Sequence, residues 1–341
     1  MLLGYSSRYL PDASELALPG PAQGRTLLRA REPALVARIE AVGATIGADA
    51  RTLDAALLAT ARLGLRHGSL GTDFHAYHNE IHVLEVGERR LARMMAGMGA
   101  AAPDPRDASA LLLFAACHDL RQRERVDVPG PVGGNEAASI AETFRILDAA
   151  GFDREADKDQ YIALELMIAG STFDARPSPI ENPQTDQLPE VAGGALARGL
   201  ALWLDHESPR WRADPLARRG ERLARLAADL DTANVGEDFV LLCETALRLC
   251  REREMRAGRS LGDAASANPS LDFLGRGQET YFFELHRFNS REGERVFGAQ
   301  KLENGPQVRA TTAALLNVFV GHPPANGAAV VAAFAKLTGA G

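Results

Sequence analysis

The stretch from Asp73 to Val86 constrains this chain more than any other. It contains three of the eight histidines, and two of them, His78 and His82, are four residues apart. The apolar positions that follow favour a helix beginning near Asn79. On such a helix both imidazoles project from one face, about 5–6 Å apart at their Cβ atoms. The spacing predicts a histidine pair that can act on one small target, although such pairs also arise by chance.

The rest of the sequence predicts an all-α fold. Of 341 residues, 46% are hydrophobic and 24% are charged, which is typical of a globular chain with enough apolar material for a core. Apolar residues recur every three or four positions through most of the chain, with no convincing strand ladder and no internal repeat. We therefore expect one compact multi-helix domain over residues 33–341, preceded by an irregular, proline-broken arm over residues 1–32.

Charge and cysteine content exclude several classes of partner. The net charge is −7, so no basic field is available for a nucleic-acid polymer, and an anionic substrate would need local help such as metal ions. Cys117, Cys243 and Cys250 lack metal-binding spacing and are expected to be buried, reduced thiols of a cytoplasmic protein. No signal peptide or membrane span is predicted. The sequence does not fix the oligomeric state and is compatible with a homodimer.

Two further segments supply side chains that could bind a metal. His118-Asp119 ends an apolar helical run, although a helix-terminal histidine followed by an acidic loop residue is an alternative interpretation. One more carboxylate could come from a distant helix. We favour Asp229, because its apolar neighbours predict a half-buried carboxylate that needs a partner, whereas Asp231 is expected to cap the following turn. With His82, these residues form a mixed nitrogen and oxygen set suited to a divalent metal.

These residues form a pattern that resembles the HD-domain metal-dependent phosphohydrolases. The string is Tyr77-His78-Asn79-x-x-His82, then His118-Asp119, then Ala228-Asp229-Leu230. It is most similar to the class I cyclic nucleotide phosphodiesterases, whose motif begins Tyr-His-Asn-x-x-His, and the likeness covers about residues 54–290. The chain also resembles small bacterial HD hydrolases of undefined substrate, which share the string Asn135-Glu136-x-x-Ser139. The resemblance implies an HD-type, phosphodiesterase-like helical catalytic domain.

The resemblance also implies a site with two divalent metals. His82, His118, Asp119 and Asp229 would bind the first, which would be Zn²⁺ or alternatively Mn²⁺ or Fe²⁺. Asp119 would also bridge to a second, mostly water-ligated ion such as Mg²⁺ or Mn²⁺. Together the metals would activate water for in-line attack on phosphorus. His78, which is not a ligand in this scheme, would donate a proton to the departing ribose oxygen.

A further match concerns the substrate. By the resemblance, the amide of Gln278 would hydrogen-bond the edge of a purine while Tyr281 or Phe282 stacks on its face. The alternative is that the aromatic residues belong to the core and that Gln278 is a solvated residue at a helix start.

One departure from the family pattern affects the second metal. The family normally has a histidine three residues after the His-Asp pair, where this chain has Gln122. Glu136 is a candidate for the missing acceptor behind the metal ligands, next to Asn135, the expected N-cap of the helix to Ala149. Alternatively, Glu136 is simply an acidic residue favoured at a helix N-terminus.

The sequence thus leads to three functional hypotheses. The first is hydrolysis of a 3′,5′-cyclic purine nucleotide, cyclic AMP or cyclic GMP, to the 5′-monophosphate. The second keeps the metal chemistry but acts on another small phosphate ester, such as a nucleoside monophosphate. The third is a binding or regulatory protein that has kept the fold and lost turnover, a hypothesis to which Gln122 gives weight. The sequence cannot choose among cyclic nucleotides, because a glutamine amide can rotate to suit either purine.

Overall fold

The computed structural model describes residues 2–5, 8–125, 130–174 and 193–341. Helices make up 73% of the structure. Within the described ranges, the strands are limited to Phe173–Asp174 and Gly194–Ala195. The prediction of an all-α fold is confirmed. Among the helices of these ranges, none is both long enough and apolar enough to cross a lipid bilayer.

The chain forms two compact units. The first contains the described residues up to Asp174 together with Ala195–Asp231, and the second contains Thr232–Gly341 with residues 193 and 194. This differs from the single domain expected over residues 33–341. Helical periodicity shows which face of a helix is buried but not which other helices cover it, so it does not reveal a boundary between two helical units.

The first unit contains the helices that hold the predicted metal ligands. Every residue of α7 from Asp107 to Cys117 is buried, so this helix runs through the core. A π-helix, Glu85–Leu91, continues α5 without a break. The α-helices described in this unit are α1 (Ala13–Ala17), α2 (Pro21–Arg31), α3 (Pro33–Ile46), α4 (Ala50–His67), α5 (Glu80–Leu84), α6 (Ala92–Met98), α7 (Pro105–Cys117), α8 (Gly134–Ala149), α9 (Lys158–Ser171), α10 (Leu200–Glu207) and α11 (Pro215–Thr232).

The second unit has its own apolar core. Leu247, Leu274, Leu315 and Phe334 are among the buried side chains that form it. The helices described in this unit are α12 (Phe239–Arg256), α13 (Ala267–Asp272), the π-helices Phe273–Gly277 and Thr280–Leu285, α14 (Arg291–Val318) and α15 (Gly327–Thr338).

The structure corrects the expectation of an irregular arm over residues 1–32. The short helix α1 is capped by Asp12, whose carboxylate accepts the backbone N–H groups of Ser14 and Glu15. Pro21 occupies the first turn of α2. Proline is well tolerated there, because the missing N–H would have no helical partner. The prolines taken as breaks in the arm therefore include one that starts a helix.

Arg66, near the end of α4, joins the N-terminal segment to the body of the first unit. Its guanidinium donates to both carboxylate oxygens of Asp12, at 2.6 and 2.7 Å, and to the buried carboxylate of Glu142 at 2.6 Å. It also donates to the carbonyl of Leu120, which follows the His118-Asp119 pair. One buried cation thus binds two carboxylates, those of Asp12 and Glu142, and a backbone carbonyl of the loop beside the candidate site.

We expect Arg66→Met to destabilise the chain by about 3–5 kcal/mol, because it leaves the Glu142 carboxylate buried without its strongest partner. Urea unfolding of the full chain, followed by circular dichroism, measures the loss. Arg29→Met is the matched control, since Arg29 pairs with Glu40 on the surface and should cost less than about 1 kcal/mol. Equal losses in the two variants would contradict the role given to Arg66.

Candidate metal centre

Asn79 positions the helix that carries His82. Its side-chain oxygen accepts the backbone N–H of Ile81 at 2.9 Å, which caps α5, as the sequence predicted for a helix beginning near this residue. Its amide nitrogen donates to the carbonyl oxygen of His75 at 2.6 Å. Asn79 therefore fixes both the start of α5 and the loop before it.

The outer ring nitrogen of each predicted histidine ligand has a partner. Nδ1 of His82 lies 3.1 Å from a carboxylate oxygen of Glu85, one turn further along. Nδ1 of His118 lies 3.0 Å from the carbonyl oxygen of Phe114, and the two rings stack. A partner that accepts the N–H at Nδ1 leaves the lone pair on Nε2, which is how protein metal sites orient their histidines.

The two Nε2 atoms converge on two carboxylates. Nε2 of His82 lies 3.2 Å from Oδ1 of Asp231 and 3.7 Å from Oδ2 of Asp119. Nε2 of His118 lies 3.4 Å and 3.0 Å from the same two oxygens. Ligands about 2.0–2.1 Å from a tetrahedral zinc ion are about 3.3–3.4 Å from each other. His82, His118 and Asp231 therefore have the spacing of ligands around one metal ion, and Asp119 lies against both histidines at the edge of this group.

The position of Asp231 revises the predicted fourth ligand. His82, His118 and Asp231 form a group able to hold a metal ion, and this group does not include Asp229. Both aspartates lie in α11, but residues two apart in a helix project about 200° from each other. Asp229 is fully buried in the first unit, whereas the Asp231 side chain is 21% exposed. Of the two aspartates, Asp231 is therefore the better candidate for the fourth ligand.

Two buried atoms of the cluster support its interpretation as a metal site. Nε2 of His118 and Oδ2 of Asp119 are inaccessible to solvent and make no hydrogen bond within the described part of the chain. A buried polar atom without a partner is costly and often marks an ion or a water. Because both atoms belong to the converging set, the residues present fit a divalent metal with mixed nitrogen and oxygen ligands.

The charged groups of the cluster shift one another's pKa values. Burial alone would lower the pKa of His118, but the carboxylates of Asp119 and Asp231 outweigh it and raise that pKa well above its usual value. Burial would raise the pKa of Asp119, yet chiefly His118, followed by His78, lowers it to about 2. The pKa of Asp231 is lowered too, against burial and mainly by His118. Two carboxylates thus face one point, where a proton or a metal ion can balance them.

Arg90, which the sequence analysis missed, holds the end of α11 at the centre. Its side chain is fully buried and donates to the backbone carbonyls of Leu230 at 3.1 Å and Asp231 at 2.6 Å. A cation near the C-terminal end of a helix is also favoured by the helix dipole. Arg90 lies in the π-helix that begins at Glu85, so one segment positions both His82 and Asp231.

The other predicted residues of the first unit lie around this cluster. The ring of His78 is partly exposed, with its centroid 6.2 Å from that of His82. Gln122 donates to Oδ1 of Asp119 at 2.9 Å, so its amide holds the oxygen that points away from the histidines. Asn135 is not the N-cap of α8, which is Gly133, and its side chain accepts the backbone N–H of Glu124 instead.

Glu136 interacts electrostatically with the cluster. Its pKa is raised, mainly by burial and also by the charges of Asp119 and Asp231. Its carboxylate folds back over Gly133, where an added Cβ would lie 2.1 Å from one of its oxygens. A side chain at position 133 would therefore displace Glu136.

The predicted base-binding residues belong to the second unit. Phe282 is 2% exposed and packs with Val235 and Leu242, so its ring is part of the core and has no free face for stacking. The hydroxyl of Tyr281 donates to the side-chain oxygen of Asn234 at 3.0 Å. Gln278 is partly buried and lines a small, mainly apolar cavity. The roles of Gln278 and Tyr281 in binding a purine remain predictions.

Comparisons with protein-family models, with curated proteins and with solved structures each find no match to this chain. The resemblance to HD-domain phosphohydrolases therefore depends on the motif residues quoted above.

The choice between the two aspartates can be tested directly. We expect Asp231→Asn to weaken zinc binding more than tenfold, because losing a ligand should cost at least the roughly 10–100-fold lost with an outer partner. Asp229→Asn should bind zinc as the parent does. Competition with a chromogenic chelator measures both affinities, with circular dichroism as a check on folding. Loss of zinc only in Asp229→Asn would restore the original assignment.

The contact between His82 and Glu85 gives a separate prediction. We expect Glu85→Gln to lower zinc affinity about 10–100-fold, because an amide is a poorer acceptor for the Nδ1 proton and orients the ring less firmly. Glu88→Gln is the control, since Glu88 lies in the same π-helix and pairs with Arg38 on the surface. The same chelator competition applies, and equal affinities in the two variants would argue against a role for Glu85.

Proposed function

We propose that this chain is a metal-dependent phosphohydrolase of small nucleotides, with a 3′,5′-cyclic purine nucleotide as its first candidate substrate. One observation carries the proposal: the imidazoles of His82 and His118 and the carboxylate of Asp231 converge at the spacing of ligands around one metal ion, with the carboxylate of Asp119 against both histidines. His82, His118 and Asp119 belong to the motif that resembles that of the HD-domain phosphodiesterases, whereas Asp231 lies two residues after the aspartate of that motif, Asp229. Because the net charge is −7, a small anionic substrate would have to be held by local positive charge such as the metal.

These four residues would hold the metal. When bound, it would act as a Lewis acid toward a phosphate oxygen and would lower the pKa of a water molecule near phosphorus. Glu85 and the carbonyl of Phe114 would keep the two imidazoles in the neutral, ligating tautomer. Glu136, whose pKa is raised mainly by burial, would be the candidate acceptor of a proton from this water.

His78 is our candidate for the general acid. His78 immediately precedes Asn79, the cap of α5, and its ring lies beside that of His82. The His78 ring is partly exposed and does not belong to the converging group. In hydrolysis of a cyclic phosphodiester, water adds to phosphorus, the bond from phosphorus to the 3′ oxygen breaks, and that oxygen must gain a proton. His78 would donate this proton.

Gln122 favours the second candidate, a nucleoside monophosphate phosphohydrolase. Its amide donates to Oδ1 of Asp119, the residue that would bridge to a second metal in the two-metal scheme. A second ion, such as Mg²⁺ or Mn²⁺, would compete with this hydrogen bond for the carboxylate. Because Gln122 departs from the pattern of the cyclic nucleotide phosphodiesterases, another small phosphate ester is the second candidate substrate.

A substrate panel tests the proposal. The chain is stripped with chelator, reloaded with Mn²⁺ or Zn²⁺, and offered cyclic AMP, cyclic GMP, cyclic dinucleotides and nucleoside monophosphates, with products identified by chromatography. We expect turnover of a cyclic purine nucleotide to its 5′-monophosphate, which chelation abolishes. Release of inorganic phosphate from monophosphates alone would support the second candidate. No turnover of any member by the metal-loaded chain would overturn both.

We expect His78→Asn to lower kcat about 10²–10⁴-fold with bound metal unchanged, as removal of a general acid should. His206→Asn is the matched control, because the His206 side chain is 85% exposed and should have no effect. If His78→Asn keeps kcat within a few-fold of the parent, His78 is not the proton donor.

A further inference from the structure

A second group of metal-capable side chains lies in the first unit. His67 is the last residue of α4, and Asp73 and His75 lie in the loop of residues 68–79 between α4 and α5. Each of the three offers a ligand atom, and these atoms lie within 4.8 Å of one another. None of these residues belongs to the centre described above.

The geometry of this group is that of ligands around one ion. Oδ2 of Asp73 lies 3.4 Å from Nδ1 of His67 and 3.3 Å from Nε2 of His75. These separations agree with the roughly 3.3–3.4 Å between ligand atoms of a tetrahedral zinc ion. The rings of the two histidines pack with their centroids 4.1 Å apart.

A buried atom without a partner marks the position. Nδ1 of His67 is inaccessible to solvent and makes no hydrogen bond within the described residues, and the His67 side chain is only 7% exposed. A ring nitrogen buried in this way loses its hydrogen bond to water, and a bound ion or water is a common replacement for the missing partner. The atom that lacks a partner is the one within 3.4 Å of the Asp73 carboxylate.

The surroundings hold the three side chains in place. The backbone N–H of His75 donates to the carbonyl of His67 at 2.8 Å, which closes the loop onto the end of α4. Arg123 donates to both carboxylate oxygens of Asp73, at 2.8 and 2.7 Å. Carboxylates that bind metals are commonly oriented by such outer hydrogen bonds. Asp73 is partly exposed, so water can reach the remaining coordination position.

We infer that His67, Asp73 and His75 form a second transition-metal site, of the type that binds Zn²⁺, with water as the fourth ligand. The site would tie the loop of residues 68–79 to α4. This loop leads to His78 and to the Asn79 cap, and the carbonyl of His75 accepts a hydrogen bond from Asn79. A metal here would therefore stabilise the segment that presents His78. The inference does not depend on the proposed function, because it uses none of the same ligands.

Metal titration of the full chain tests the inference. The chain is stripped with chelator and titrated with Zn²⁺ or with Co²⁺, whose visible spectrum reports on coordination geometry. We expect the parent to bind two equivalents, His67→Ala to bind one, and His82→Ala to bind the other one. Binding by His67→Ala equal to that of the parent would overturn the second site. If His67→Ala loses zinc but His82→Ala does not, the site at His67, Asp73 and His75 is supported and the centre at His82 and His118 is contradicted.

Asp73→Asn covers the case in which removal of a buried histidine disturbs folding. It keeps the side-chain volume and an oxygen for Arg123, and we expect it to weaken the second equivalent at least tenfold while the circular dichroism spectrum stays that of the parent. His206→Ala controls for an exposed histidine. In hydrogen exchange, zinc should protect the amides of residues 68–79 in the parent but not in Asp73→Asn. Equal protection in both proteins would contradict the inference.

Discussion

The candidate metal centre of the first unit depends on the hydrogen-bond partners of Nδ1 in His82 and His118. Glu85 and the carbonyl of Phe114 each engage an Nδ1, so both Nε2 atoms face inward with their lone pairs. Asp119 and Asp231 face the same point. Two neutral imidazoles and two carboxylates carry a charge of −2, which one divalent cation balances.

The surrounding helices make this convergence rigid. Asn79 fixes the start of α5 through its cap, and the buried helix α7 delivers His118 and Asp119 at its end. Arg90 donates to the backbone carbonyls of Leu230 and Asp231 near the end of α11, and these bonds fix the backbone that carries the Asp231 carboxylate. Each candidate ligand therefore lies on a segment whose backbone is held in place close to that residue. Such preorganisation is what a metal or transition-state site requires.

The sequence predicted those features that depend on local spacing. Helical periodicity was enough for the all-α fold, and the Asn79 cap and the pattern of His82, His118 and Asp119 could be read directly from the chain. Features that depend on which way a helix face points in the tertiary structure could not be predicted from the sequence. Asp229 and Asp231 have equally acidic side chains two positions apart, and only the rotation of α11 decides which one faces the histidines. The division into two units depends on tertiary packing in the same way, whereas the start of α2 at Pro21 follows a local preference for proline in the first turn of a helix.

Some site residues carried no readable signal at all. Arg90 is one of thirty-eight basic residues, and nothing in its neighbourhood shows that it binds carbonyls from a helix 140 positions away. The same is true of His67 and His75, which no motif in the sequence links to Asp73. Their association appears only because the loop closes onto the end of α4 and brings Asp73 between the two rings.

The π-helix Glu85–Leu91 makes the winding of this segment as important as its composition. Its wider turns accommodate more residues per turn than an α-helix does, and the segment has Glu85 at one end and Arg90 near the other. If the same residues formed an ordinary α-helix, each position would rotate by about 100°, so the five steps from Glu85 to Arg90 would turn the guanidinium well past the direction that the π-helix gives it. The segment can thus exchange many of its side chains, whereas a change from π-helical to α-helical winding would uncouple the two halves of the centre.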